Sequence, residues 1–167
     1  MKNKTDASIL IQNRDQLIKN FLNQKEPRFL ESFSRILDEY FQSALGKSPA
    51  AAAMSSQGNP VVLVALGGYG RQEQCVHSDV DLLLLFEKKI PRETEQLVKE
   101  ILYPLWDIHL ETGYAIRTVK ECLSMAWKQF DILTTMLDVR FICGSSPLYF
   151  KLREQLRKKL SARYQEK

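Results

Sequence analysis

The chain has 167 residues, 44% of them hydrophobic and 26% charged, which is enough for one compact domain with a proper core and a helical appendage. Its most apolar runs, residues 61–66 and 82–86, are far shorter than the ~20 residues of a membrane-spanning helix. With no signal-peptide pattern at the N-terminus and three widely spaced cysteines, Cys75, Cys122 and Cys143, the chain reads as cytoplasmic, without a disulfide framework or a Cys-x-x-Cys metal site.

The net charge of +4 is unevenly spread. Residues 150–167 carry seven Lys/Arg against two Glu, and everything before them sums to −1. That basic segment reads as a solvated helix or a contact to a further domain, and nucleic acid is not the expected partner.

In chain order, residues 8–23 place Ile9, Leu10, Leu17, Ile18, Phe21 and Leu22 at helical spacing. Residues 27–45 do the same with Phe29, Leu30, Phe33, Ile36, Leu37, Tyr40 and Phe41. Residues 46–60, rich in Gly, Pro, Ser and Asn at their ends, predict a loop between this helical arm and a core. Residues 61–66 are apolar throughout, as in a strand covered on both faces, and the glycine-rich run Gly67-Gly68-Tyr69-Gly70-Arg71 follows directly.

Val80–Phe86 reads as a second buried strand. Residues 92–112 carry a helical period that Pro104 should kink or divide, with Gly113 as its stop. Residues 114–119 read as a third strand. Thr118 and Glu121 then match a capping box for a helix toward Trp127. Asp131 can cap another helix, ending at Gly144, and Ser146-Pro147 suits the start of a last one. The order predicts an α+β protein. Residues 1–58 form the helical arm and linker, 59–145 the core, and 146–167 a basic C-terminal helix leading to further domains.

Asp79 and Asp81, two residues apart on a strand, point to one face, while Val80 faces the core. Two carboxylates so close repel unless a cation lies between them, and hard oxygen ligands favour Mg²⁺. The glycine run lets backbone approach a triphosphate, with Gly67 and Gly68 in an anion-binding nest and the planar fork of Arg71 on phosphate. Ser78 either donates to a phosphate or fixes the turn. Tyr69 either stacks on a base or packs on a helix. Arg117 either faces the nucleotide or pairs with the aspartates. Each half of the pattern is weak alone. Together, just ahead of the buried run Leu82-Leu83-Leu84-Leu85, they describe a site for metal-assisted nucleotidyl transfer.

Gly-Gly-Tyr-Gly-Arg at 67–71, followed after seven residues by Asp-Val-Asp-Leu-Leu-Leu-Leu, resembles the nucleotidyltransferase superfamily typified by DNA polymerase β. It is most similar to the N-terminal domain of the bacterial protein-PII uridylyltransferases. The similarity continues through residues 105–114, 116–118, 121–123 and 137–144, and covers about residues 60–160. The resemblance implies a nucleotidyltransferase fold, a small mixed sheet flanked by helices. It also implies Mg²⁺ on Asp79 and Asp81, and transfer of UMP from UTP to a tyrosine hydroxyl of a protein acceptor, PII.

Two departures stand out. Gln72-Glu73-Gln74 replaces the usual Gly-Glu-Leu and is similar to a group of nucleotidyltransferases linked to CBS domains. The superfamily's third carboxylate has no counterpart in Tyr114-Ala115-Ile116-Arg117, leaving Glu111 and Asp107 as the nearest acids. His77, His109 and Cys75 are discounted as catalytic groups. A nucleotide-binding regulatory module without transfer activity, a transferase for another acceptor, and a helical docking platform are the competing readings.

Overall fold

The structure, a computed structural model, describes residues 5–165, apart from the side chains of Phe130, Asp131 and residues 162–165. Helix α1 (Asp6–Leu22) starts at Thr5, whose hydroxyl accepts from the Ser8 N–H at 3.2 Å. Helix α2 (Phe29–Lys47) buries Phe33, Leu37, Tyr40 and Phe41 on one stripe. The predicted loop at 46–60 contains a further helix, α3 (Pro49–Ser56). Ser48 caps it through a 3.0 Å bond from the Ala51 N–H, Pro49 fills its first turn, and residues 50–53 are four alanines. What looked like loop punctuation is a cap, a first-turn proline and the strongest helix former.

Strand β1 (Val62–Ala65) runs into a single helical turn, α4 (Gly67–Gly70), and β2 (Val80–Phe86) follows. Pro104 divides the next segment into α5 (Thr94–Ile101) and α6 (Tyr103–Asp107). The helical expectation up to residue 112 is corrected: His109 takes a positive φ of 56° and β3 (Thr112–Thr118) has begun. Gly113 is therefore a strand residue, not a helix stop.

The Thr118–Glu121 capping box opens α7 (Val119–Lys128) as expected. Helix α8 (Phe130–Leu137) has Gln129 at its cap position; the side chain of Asp131, the expected cap, lies outside the described residues. It ends well before Gly144, because Arg140–Gly144 forms an unpredicted strand, β4. A short apolar run satisfies helix and strand periods alike, and only a neighbour with free backbone groups decides. Helix α9 (Ser146–Gln165) closes the chain.

The four strands form one mixed sheet in the order β3-β2-β1-β4, with β1 antiparallel to β2 and β4, and β2 parallel to β3. Helices cover both faces, so β1 and β2 are apolar on both. Leu63, Ala65, Leu82 and Leu84 pack with Phe33, Leu37, Phe41, Met54 and Leu97. Val62, Val64, Leu83 and Leu85 pack with Cys122, Leu133, Met136, Leu148 and Leu152. Among the described residues no helix is long and apolar enough to cross a membrane.

Candidate active site

The entry end of β2 is fixed on both sides. The Val80 N–H donates to the Glu111 carbonyl and the Leu66 N–H donates to the Asp81 carbonyl, both at 3.0 Å. In the parallel ladder Asp81 stands opposite Gly113. Its carboxylate thus lies between two residues without side chains. A methyl added to Gly113 would meet Asp81 Oδ1 at 2.5 Å, and one added to Gly67 would meet Oδ2 at 3.3 Å. Gly67 also takes φ 53°, a conformation that side chains disfavour. Partial burial, and next the charge of Asp79, push the Asp81 carboxyl above its ordinary value. Among the described residues neither carboxylate has an ion-pair partner, and that of Asp81 lies in a gap kept open by glycine.

Asp79 is delivered by a turn built around Gln74, the last residue of the departing run Gln72-Glu73-Gln74. The Gln74 side chain is only 2% exposed. Its Nε2 donates to the Ser78 carbonyl at 2.7 Å, the Asp79 carbonyl at 3.2 Å and the Cys75 carbonyl at 3.3 Å. A buried amide folding a loop over itself leaves no periodic trace in a sequence. Ser78 is exposed, and its N–H donates to the Cys75 carbonyl at 3.2 Å, so its backbone shapes the turn.

The glycine run forms one helical turn and not an irregular nest. The N–H groups of Gly70, Arg71 and Glu73 donate to the carbonyls of Leu66, Gly67 and Gly68 at 2.8, 3.1 and 2.8 Å. The first N–H groups of such a turn have no partner within it. Gly68 has open space, its nearest neighbour to an added methyl being the Glu73 carbonyl at 3.8 Å. A methyl on Gly70 would run into the Asp138 backbone. Tyr69 is 1% exposed and packs on the α2 side, which removes it as a base-stacking platform.

Arg71 lies beside the turn but is already engaged. Its Nε donates to Glu73 at 2.8 Å and its Nη1 to Asp138 at 2.7 Å. Glu73 first and Asp138 second raise its pKa further. The half-exposed guanidinium keeps its second terminal nitrogen outside these two bonds.

Arg117 is not brought to the aspartates. It stands opposite Leu85, four residues beyond Gly113 on β3, or about 13 Å at the rise of a strand. Glu111, whose carbonyl receives the Val80 N–H, is exposed at the same end of the sheet as Asp79. Asp107 ends α6. Among the described residues no three His, Cys, Asp or Glu side chains group as a metal site. Cys75 and His77 are exposed in the loop before Asp79, while burial pushes the Cys122 and Cys143 thiols up to about 11 and about 12. Those two are poor nucleophiles.

A divalent ion fits Asp79 and Asp81 by donor type and by the like charge of the two neighbouring carboxylates. A mixed sheet carrying a glycine turn after one strand and an Asp-x-Asp pair at the head of the next defines a nucleotidyltransferase domain. The chain belongs to the family described as "Putative nucleotidyltransferase DUF294", which matches residues 12–120.

Over 108 residues, 65% of this chain, it is 41% identical to the "Bifunctional uridylyltransferase/uridylyl-removing enzyme" of Ruegeria pomeroyi. The enzyme of that name in Rhodospirillum rubrum is 42% identical over 96 residues, 58% of this chain. Its Vibrio vulnificus counterpart is 39% identical over 94 residues, 56% of this chain. The matched stretches cover 12%, 10% and 11% of those relatives, which are far longer proteins. No solved structure matches the chain.

Proposed function

We propose that this domain transfers a nucleoside monophosphate, UMP from UTP, to a hydroxyl of a protein acceptor of the PII kind, with Mg²⁺ held by Asp79 and Asp81. The observation that carries the reading is the Asp81 carboxylate, set between Gly67 and Gly113 with Asp79 as its like-charged neighbour. The relatives' uridylyltransferase activity supports UTP as the donor.

Bound Mg²⁺ would supply charge neutralisation at the phosphates and lower the pKa of a coordinated hydroxyl. The chain's own residues do the positioning. Gly67 and Gly68 present backbone N–H groups to the triphosphate without a side chain in the way. Arg71 offers its free terminal nitrogen to a phosphate oxygen, with Glu73 and Asp138 fixing the plane of its fork. Gln74 holds the loop that sets Asp79 beside Asp81. The acceptor hydroxyl oxygen would bond to the α-phosphorus and release its proton to solvent as the bond from phosphorus to the pyrophosphate oxygen breaks, and pyrophosphate leaves.

The test is label transfer from each of the four α-labelled nucleoside triphosphates to purified PII in Mg²⁺, with the Asp79→Asn/Asp81→Asn variant as control. Label from UTP on PII, absent with the variant, is the expected result; no label from any nucleotide sinks PII transfer by this domain. A second reading, a nucleotide-binding module that does not transfer, rests on the lack of a three-donor metal group among the described residues. Saturable UTP binding without turnover would identify it.

A further inference from the structure

Three of the four residues in the Gly67–Gly70 turn have no side chain, so Tyr69 alone can anchor it. That anchor leads to α2. The Tyr69 hydroxyl donates to Asp38 Oδ1 at 2.6 Å. Arg140, at the head of β4, grips the same carboxylate with two nitrogens at 2.7 and 3.1 Å. It also donates to the Tyr69 carbonyl at 3.2 Å and lies 5.1 Å over the Tyr69 ring. Ring, hydroxyl and backbone of the one anchoring residue are therefore all specified.

The arrangement is not the one that stability alone favours. The Asp38 and Arg140 side chains are 15% and 22% exposed, and buried ion pairs contribute little net stability over apolar packing. Arg140 Nε is buried without a hydrogen-bond partner, a cost that native proteins seldom leave unmet. What the cluster provides is a fixed geometry for the turn.

We propose that Asp38 is a positioning residue for the nucleotide: through Tyr69 and Arg140 it holds the Gly67–Gly70 turn in the conformation that receives the triphosphate. Helix α2 is on this account a working part of the nucleotide site. The inference rests on the reading of the turn as the phosphate cradle.

The test compares Tyr69→Phe, which keeps the Asp38–Arg140 pair, with Asp38→Asn, by amide hydrogen exchange and by UTP binding calorimetry in Mg²⁺. A hydrogen bond to a charged acceptor corresponds to about tenfold in an equilibrium. In Tyr69→Phe the Gly70, Arg71 and Glu73 amides should exchange about tenfold faster, with those of β1 unchanged, and the UTP dissociation constant should rise about tenfold. The turnover number should fall by less than about twofold, because the turn binds ground and transition state alike. Asp38→Asn should exceed Tyr69→Phe in both readouts.

Unchanged exchange at the turn overturns the proposal. So does equal acceleration in β1, which marks general loosening, or a loosened turn with unaltered UTP affinity. If the unmodified chain binds no nucleoside triphosphate, the transfer function fails by itself, and selective loosening of the turn still decides whether Asp38 positions it. Should Asp38→Asn not fold, Tyr69→Phe alone decides.

Discussion

Two carboxylates, Asp38 on α2 and Asp81 on β2, are treated in opposite ways. Asp38 receives the Tyr69 hydroxyl and two nitrogens of Arg140, all within 3.1 Å. Asp81 has glycine on both sides, another carboxylate as its neighbour, and a proton affinity raised by both burial and that neighbour. The matched acid is part of the scaffold; the unmatched one is where the proposed Mg²⁺ would complete the electrostatics. Charge near a sheet is informative through its partners more than through its presence.

The comparison breaks most completely at the unmatched pair. Asp79→Asn/Asp81→Asn should lower kcat/KM for nucleotidyl transfer by about 10³-fold. The metal-free variant should melt no lower than the unmodified chain, since only repulsion is removed. A fall in melting temperature comparable to that of Asp38→Asn would mean that the pair is structural.

At the matched site the expected effect is on stability. Asp38→Asn leaves the Arg140 charge without its counter-ion, for a loss of about 3 kcal/mol in denaturant unfolding, the lower end for breaking a buried pair because both side chains keep some solvent contact. Unfolding midpoints equal to the unmodified chain would remove the contrast.

Gly113→Ala probes the gap itself. The added methyl meets Asp81 Oδ1 at 2.5 Å, so the carboxylate or β3 must shift. Transfer should drop by about 10²-fold, with roughly 1–2 kcal/mol of lost stability from overpacking. Full activity in this variant would show that the Asp81 position is not critical.

The smallest effect is in pH dependence. Because the folded chain holds the Asp81 proton more tightly than the unfolded chain, whose value is near 3.8, this group's contribution favours folding at low pH. It declines as pH rises from that value through the raised folded one. Carboxylates with lowered values, such as Glu121 with its bonds to Thr118, slope the other way. The difference between melting curves of the unmodified chain and Asp81→Asn isolates the Asp81 slope, and identical pH profiles would show that its proton affinity is not raised.

Much of this molecule was legible in its residues. Val80–Phe86 is a strand at the expected bounds, the Thr118–Glu121 box caps a helix, and Pro104 divides one. These features are local: an apolar run, a cap and a ring without an N–H act within a turn or two of themselves. The family motif at 67–71 and 79–85 was likewise readable, because it consists of particular residue types at fixed spacing.

The tertiary structure decided what depends on distant partners. Residues 140–144 became a strand because β1 had a free edge to pair with. Gly113 became the wall of a carboxylate gap because parallel register set it against Asp81. Gln74 turned inward onto three carbonyls, Tyr69 was claimed by Asp38 of α2, and Arg71 was tied to Asp138, 67 residues away. Hydrogen-bond partners and ladder register are properties of packed backbone, and spacing along the chain carries no record of them.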